Sequence, residues 1–259
     1  VFTVDLTDYD KLKDINISHS CVSSIALPFS NLSELHIDHC GINAFTLSNQ
    51  EFLETIDITG CDRLTNVVIN DCRQLTTLNF LFFFDLAAVT ITNCPNITSI
   101  TCSNNSSLTS IKVIGCTNLL YVDFSKNSNP ILKIEISAAR NLKEVYLYSL
   151  NTTTPPILPQ VNTNLVVLNL ANTQFDSIQF GNKSITQYNN ENVLDLSMFF
   201  VNDSVENGFN VDLSKLNLNV QGMVNLKYLK LNNDSSAPFI ISSNFFSGCK
   251  LLKRVFGYI

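Results

Sequence analysis

The chain has 259 residues, a length that permits two domains, although repeat proteins and all-β folds often use it as one unit. It is 45% hydrophobic and 15% charged with a formal net charge of −6, so it can bury a sizeable core but lacks the Lys and Arg excess that nucleic acid or an anionic membrane surface requires. Its purely apolar runs, such as Phe82-Phe83-Phe84, are far too short to cross a bilayer, so no membrane span is expected.

In chain order, Val1 to Leu6 alternates apolar and polar residues and reads as a capping strand within an N-terminal cap of residues 1–11. The chain begins at Val1 without Met, and a processed or excised segment is expected. From Leu12/Ile15/Ile17 the phrase L-x-x-L-x-L recurs at Leu32/Leu35/Ile37, Leu53/Ile56/Ile58, Leu75/Leu78/Phe80, Ile97/Ile100/Cys102, Leu119/Val122/Phe124, Leu142/Val145/Leu147, Leu165/Leu168/Leu170 and Leu226/Leu229/Leu231. As far as Leu165 the steps are about 20 to 23 residues. A second series lies halfway between, at Ile42/Phe45/Leu47, Leu64/Val67/Ile69, Leu86/Val89/Ile91, Leu108/Ile111/Val113 and Ile131/Ile134/Ile136.

Each half-coil is thus about 11 residues, too short for a helix with two turns. Two of its apolar positions are two apart, the alternation of a strand with one buried face. Asn, Ser, Gly and Cys cluster between them, where the chain must turn. One such coil cannot bury enough apolar surface to stand alone, so neighbours must stack. The expected fold is a single β-rich solenoid over 1–259, with a concave parallel sheet from the first series and short strand-like or irregular convex segments from the second. Two stretches break the rhythm. Residues 151–163, NTTTPPILPQVNT, contain Pro155-Pro156 and read as a bulging insertion. Residues 186–212 are Asn-rich, with only Val193 to Leu196 keeping strand register, and 239–259 read as a C-terminal repeat or cap.

The segments NLSELHIDHC, NLLYVDFSKN, NLVVLNLANT and NLKYLKLNN resemble the leucine-rich-repeat consensus N-L-x-x-L-x-L-x-x-N/C. The near-equal halves, the C-x-x-L-x-x-I phrases at Cys72-Leu75-Leu78, Cys94-Ile97-Ile100 and Cys116-Leu119-Val122, and FFSGCKLLKRV near the C-terminus are more similar to the short, cysteine-containing repeats of BspA-like surface proteins. The resemblance covers about residues 12–180 well and the rest patchily. It speaks to fold more than to function.

Eight cysteines occur, and Cys72, Cys94 and Cys116 stand one full coil apart, a ladder along one edge. Buried free thiols acting as small hydrophobes are the leading reading, with a disulfide framework as the alternative. No C-x-x-C supports a zinc site.

Outward positions of the first series form a polar column, Asn16, His36, Asp57, Asn79, Thr101, Asp123, Tyr146, Asn169. Tyr121, Tyr146 and Tyr148, with Asp123, fall on neighbouring coils and form the preferred contact patch, because exposed aromatic clusters are enriched at binding hot spots. The bland alternative is scattered surface aromatics. Leu81 and Phe82 belong at a rim and are candidate self-association residues, with Phe83 buried beneath.

His19 and His39 share a column, with His36, Asp38 and Asp57 nearby, a set able to hold a divalent metal or sense pH. Surface histidines are more often incidental, and neither a metal nor a cofactor is assigned. No catalytic constellation is recognisable, so no enzyme is expected. Candidate glycosylation sequons lie at Asn16, Asn31, Asn96, Asn105, Asn151, Asn182, Asn202 and Asn233, with another at Asn104. About six would arise by chance at this composition, and Asn151 is the best placed.

The leading functional expectation is an extracellular or cell-surface recognition or adhesion module binding a protein or glycan on its concave face. A structural subunit of a self-associating surface filament or coat is the second. An intracellular receptor or scaffold segment is the third, because LETIDITGCDRLTNVVI also resembles cysteine-containing repeats of plant immune receptors.

Overall fold

The computed structural model describes residues 2–28, 31–159, 165–196, 217–230 and 244–256. They form a helix-free parallel β-solenoid of about ten turns. No helix among them is long and apolar enough to cross a membrane.

Both halves of each coil are strands. The first series forms three-residue strands, in which the middle residue is buried and its flanks face outward, as in Thr77–Asn79, Ser99–Thr101 and Tyr121–Asp123. Six of these stack in register as far as Asn217–Asn219, while Asp14–Asn16, Glu34–His36 and Thr55–Asp57 form a separate group of three. The second series forms the longer strands, five residues each with two buried side chains, such as Phe45 and Leu47 or Val89 and Ile91. Five of these, with the two-residue strands Ile157–Leu158 and Gln179–Phe180, stack into a seven-stranded parallel sheet. Between the two sheets the aliphatic residues form one continuous core from Ile15 to Cys249. Leu53, Leu75, Ile97, Leu119 and Leu142 are fully buried along one line, so truncating any one to Ala would cost about 2–5 kcal/mol.

The turns explain the polar residues. After each short strand from Asp14–Asn16 to Asn217–Asn219 one residue takes positive φ, in the order His19, His39, Gly60, Phe82, Asn104, Lys126, Ser149, Asn172, Gly222, and Gly248 does so near the C-terminus. A matching ladder follows the long strands at Asn49, Asp71, Asn93, Gly115 and Ala138. Asn, Asp and Gly tolerate this left-handed conformation; they make up half of the first ladder and all of the second but Ala138. At several first-ladder turns the next residue is a buried Asn or Cys that bonds to the neighbouring coil. Asn127 donates from Nδ2 to the carbonyls of Cys102 and Phe124, both at 2.8 Å, and accepts from the Asn105 N–H. Asn105 repeats the pattern, accepting from the Phe83 N–H and donating to the Phe80 carbonyl. Cys61 does the same with a thiol, donating to the Ile37 carbonyl at 3.0 Å and accepting from the Cys40 N–H at 3.4 Å. Asn and Cys both serve here because each can donate to and accept from backbone groups within a small volume.

No disulfide occurs among the described residues: all eight cysteines are free, seven buried and Cys21 exposed. Burial pushes the Cys61 thiol up to about 11 and the Cys116 thiol up to about 12, so both stay protonated at neutral pH.

Three sequence readings change. The segment 151–163 is no simple bulge. Thr152 is buried and donates to the Leu132 carbonyl at 2.9 Å, and Ile157–Leu158 joins the long-strand sheet beside Lys133–Ser137. Residues 160–163 of that segment lie outside the described residues. Leu226, Leu229 and Leu231 do not continue the series of Leu168. Leu168 pairs with Leu218, whereas Leu229 pairs with Leu194 and Val255 in a separate three-stranded sheet, and Leu231 lies outside the described residues. Both segments carry apolar residues two apart, so spacing alone does not choose between them. Of 186–212, Gln187–Tyr188 and Glu191–Asn192 form an antiparallel pair and Leu194–Asp195 a strand, while 197–212 are not described. At the N-terminus, Phe2–Asp5 lies parallel to Val22–Ala26.

Candidate functional site

The outward face of the short strands carries three rows, one on each side of the buried middle residue and one just beyond the strand. Registers place Ser99, Tyr121, Glu144 and Val167 in the first row and Thr101, Asp123, Tyr146 and Asn169 in the second. Tyr121 and Tyr146 are therefore diagonal, not side by side in one row. Their rings nevertheless meet, with centroids 5.5 Å apart and planes tilted by 44°. At this separation aromatic rings attract each other. Tyr148 lies one row further out, with the Lys126 ammonium 5.6 Å from its ring centroid. All three rings are half-buried.

The Tyr146 hydroxyl donates to Glu144 Oε2 at 3.0 Å. Partial burial, then the Asp123 carboxylate, pushes the Tyr121 phenol above its ordinary value. Burial, then the hydrogen bond to Glu144, does the same for Tyr146. Both phenols remain neutral donors through the physiological range. The result is an aromatic, mildly acidic patch flanked by Thr77, Asn79, Ser99 and Thr101 on one side and Val167 and Asn169 on the other.

Asp123 has a local duty that the sequence does not reveal. Its Oδ1 accepts the Ser125 N–H at 3.0 Å and the Ser125 hydroxyl at 2.5 Å, closing the turn that follows the strand. Asn16, Asp57, Asn169 and Asn219 accept the N–H two residues on in the same way. Much of the polar column is therefore turn chemistry. The recurrence of Asn or Asp two residues before a Ser, Thr or Ala was the available signal.

At the rim, Leu81 is half-buried, Phe82 is 57% exposed and Phe83 is buried, as the spacing predicts. Phe84 is also exposed, at 60%. Phe82 sits at φ 62° in the turn ladder, a costly conformation for a bulky side chain.

Among the sequon residues, Asn31, Asn151 and Asn182 are exposed, as are Asn16 and Asn96, although Asn96 Nδ2 donates to Gln74 Oε1. Asn105 is a correction: it is fully buried, and its Nδ2 donates to Phe80 and Cys102, so a glycan on that nitrogen is incompatible with the packing. Asn202 and Asn233 lie outside the described residues.

The histidines come together as their column predicts. The His19 and His39 rings stack 4.6 Å apart at an interplanar angle of 17°. His39 Nδ1 lies 2.9 Å and His19 Nε2 3.5 Å from Asp38 Oδ2. Ser18 and His39 hold the Asp38 carboxyl below its ordinary range. A second group, Asp14, Glu34 and His36, lies on the short-strand face.

No family model, curated protein or solved structure matches the chain.

Proposed function

We propose that the chain is a non-enzymatic recognition or adhesion module of leucine-rich-repeat type, nearest in repeat style to BspA-like surface repeats, that binds a protein or glycan through the short-strand face. The repeat assignment rests on the inward Asn and Cys at the last consensus position, where both satisfy backbone groups of the next coil. The single observation that carries the function is the Tyr121–Tyr146 ring pair with Tyr148 and Lys126 beside it. Stiff aromatic rings supply contact area at low entropic cost, and their faces suit sugar rings as well as protein side chains. The neutral, hydroxyl-rich surroundings favour an uncharged or weakly basic partner.

The test is capture from a glycan array and an array of secreted and surface proteins, comparing the native chain with Tyr121→Ala/Tyr146→Ala. A ligand held by the native chain should be lost by the double variant at unchanged melting temperature. Undiminished capture by the double variant would overturn the reading.

The extracellular placement is supported by exposed sequons at Asn31, Asn96, Asn151 and Asn182. A glycosidase-sensitive intact mass of the protein from its native source checks it, and a mass without glycan favours the intracellular receptor or scaffold. A second reading, a self-associating surface subunit, is favoured by Phe82 and Phe84 standing together on one turn edge, both more than half exposed. Light scattering at rising concentration separates it from the first, since only that reading requires association.

A further inference from the structure

We propose that His19, Asp38 and His39 form a site for a zinc-class divalent ion, in which His19 Nε2, Asp38 Oδ2 and His39 Nδ1 are the ligands and a water completes the shell. The three candidate donor atoms all lie within 4.8 Å of one another. Ligands at zinc distances around a tetrahedral ion stand about 3.3 Å apart. The two donor separations involving Asp38 Oδ2, 2.9 and 3.5 Å, straddle that value. An imidazole nitrogen binds an ion in its ring plane, so the two nearly parallel rings must turn about their side-chain torsions to converge on one ion, a motion their exposure permits.

The fold prepares the site. His19 and His39 occupy successive rungs of the positive-φ ladder, at φ 56° and 52°, which brings the two imidazoles to one edge in a parallel stack. The next rung is Gly60, and any Cβ there would approach the His39 ring to 2.8–3.0 Å. Gly60 thus leaves the room in which that ring lies. Asp38 Oδ2 lies within reach of a nitrogen of each stacked ring, with its side chain only 19% exposed, whereas the imidazoles, at 73% and 58%, are open to an incoming ion.

Two imidazoles with one carboxylate suit zinc and copper(II) better than calcium or magnesium, which prefer all-oxygen shells. The group of Asp14, Glu34 and His36 offers a single nitrogen and is the weaker match. The buried thiols of Cys61 and Cys116 do not compete, since burial keeps them protonated. Such an ion would tie the first short-strand coil to the second. The site lies apart from the tyrosine patch, and its test is independent of the recognition reading.

The experiment is calorimetric titration of the untagged chain with Zn2+ at neutral pH, together with NMR of the histidine ring signals. One ion per chain should bind, shifting the signals of His19 and His39 but not those of His36. Loss of a supporting group at a metal site costs roughly 10–100-fold in affinity, so His19→Gln, His39→Gln and Asp38→Asn should each cost at least that. Cys21→Ser and His36→Gln should leave affinity unchanged. Because both imidazoles are exposed, the variants should melt at the native temperature without metal and lose the zinc-induced rise. Absence of zinc uptake, unchanged affinity in His19→Gln or His39→Gln, or dependence on Cys21 or His36 would each overturn the proposal.

Discussion

The Asn127 side-chain carbonyl accepts the Asn105 N–H at 2.8 Å, and these two residues stand at the same position of successive coils. Each also donates to a carbonyl of the preceding coil, so the pair stitches three neighbouring turns along the edge of the core. Asn127→Ala leaves buried carbonyls of Cys102 and Phe124 and the Asn105 N–H without this partner, and should cost about 3 kcal/mol in urea unfolding. Asn127→Cys should cost less than half as much, because Cys61 performs the same exchange two rungs before Asn105. Equal losses in the two variants would show that packing, not hydrogen bonding, governs the position.

Phe82 is the bulkiest residue of its turn ladder and sits at φ 62°. The left-handed region costs an ordinary residue about 1–2 kcal/mol, much less for Asn. Phe82→Asn should therefore stabilise the chain by about 1 kcal/mol and reduce any concentration-dependent scattering. Thermal unfolding and light scattering read the two effects separately.

Gly60 carries the opposite requirement. Its φ of 68° and the His39 ring against it leave no room for a side chain. Gly60→Ala should lose about 1–2 kcal/mol and displace the His39 ring, visible as a changed ring chemical shift. Gly41→Ala is the control. A Cβ there meets the Val22 carbonyl oxygen at 3.4 Å without positive φ, and only a small change is expected.

Glu191 fastens the antiparallel hairpin to the C-terminal strands. Its carboxylate meets Lys253 at 2.7 Å and Lys227 at 3.1 Å, contacts that hold its pKa down to about 2 from the ordinary 4.5. A carboxylate with a lowered folded pKa contributes stability that is fully present above the unfolded value and is lost as pH falls towards the folded one. Hydrogen exchange over residues 186–196 should therefore accelerate as pH falls from about 4.5 towards 2, after correction for intrinsic rates. Glu191→Gln should exchange faster at neutral pH and lose that added pH dependence. Added salt should weaken the clamp, since these charges lie near the surface.

The period of the chain was legible without coordinates, because a strand buries every second side chain and a 22-residue coil must return to the same place. Leu53, Leu75 and Ile97 aligned for that reason, and the outward columns that contain Tyr121, Tyr146, His19 and His39 followed. The tertiary structure decided what periodicity leaves degenerate. Leu218 and Leu229 sit in similar phrases, and only the strand pairings show that Leu218, not Leu229, stacks on Leu168. Hydrogen-bond partners were equally hidden. Asn105 is buried against Phe80, and Asp38 reaches a nitrogen of each of two imidazoles, because each depends on side-chain direction at a left-handed turn rather than on spacing along the chain.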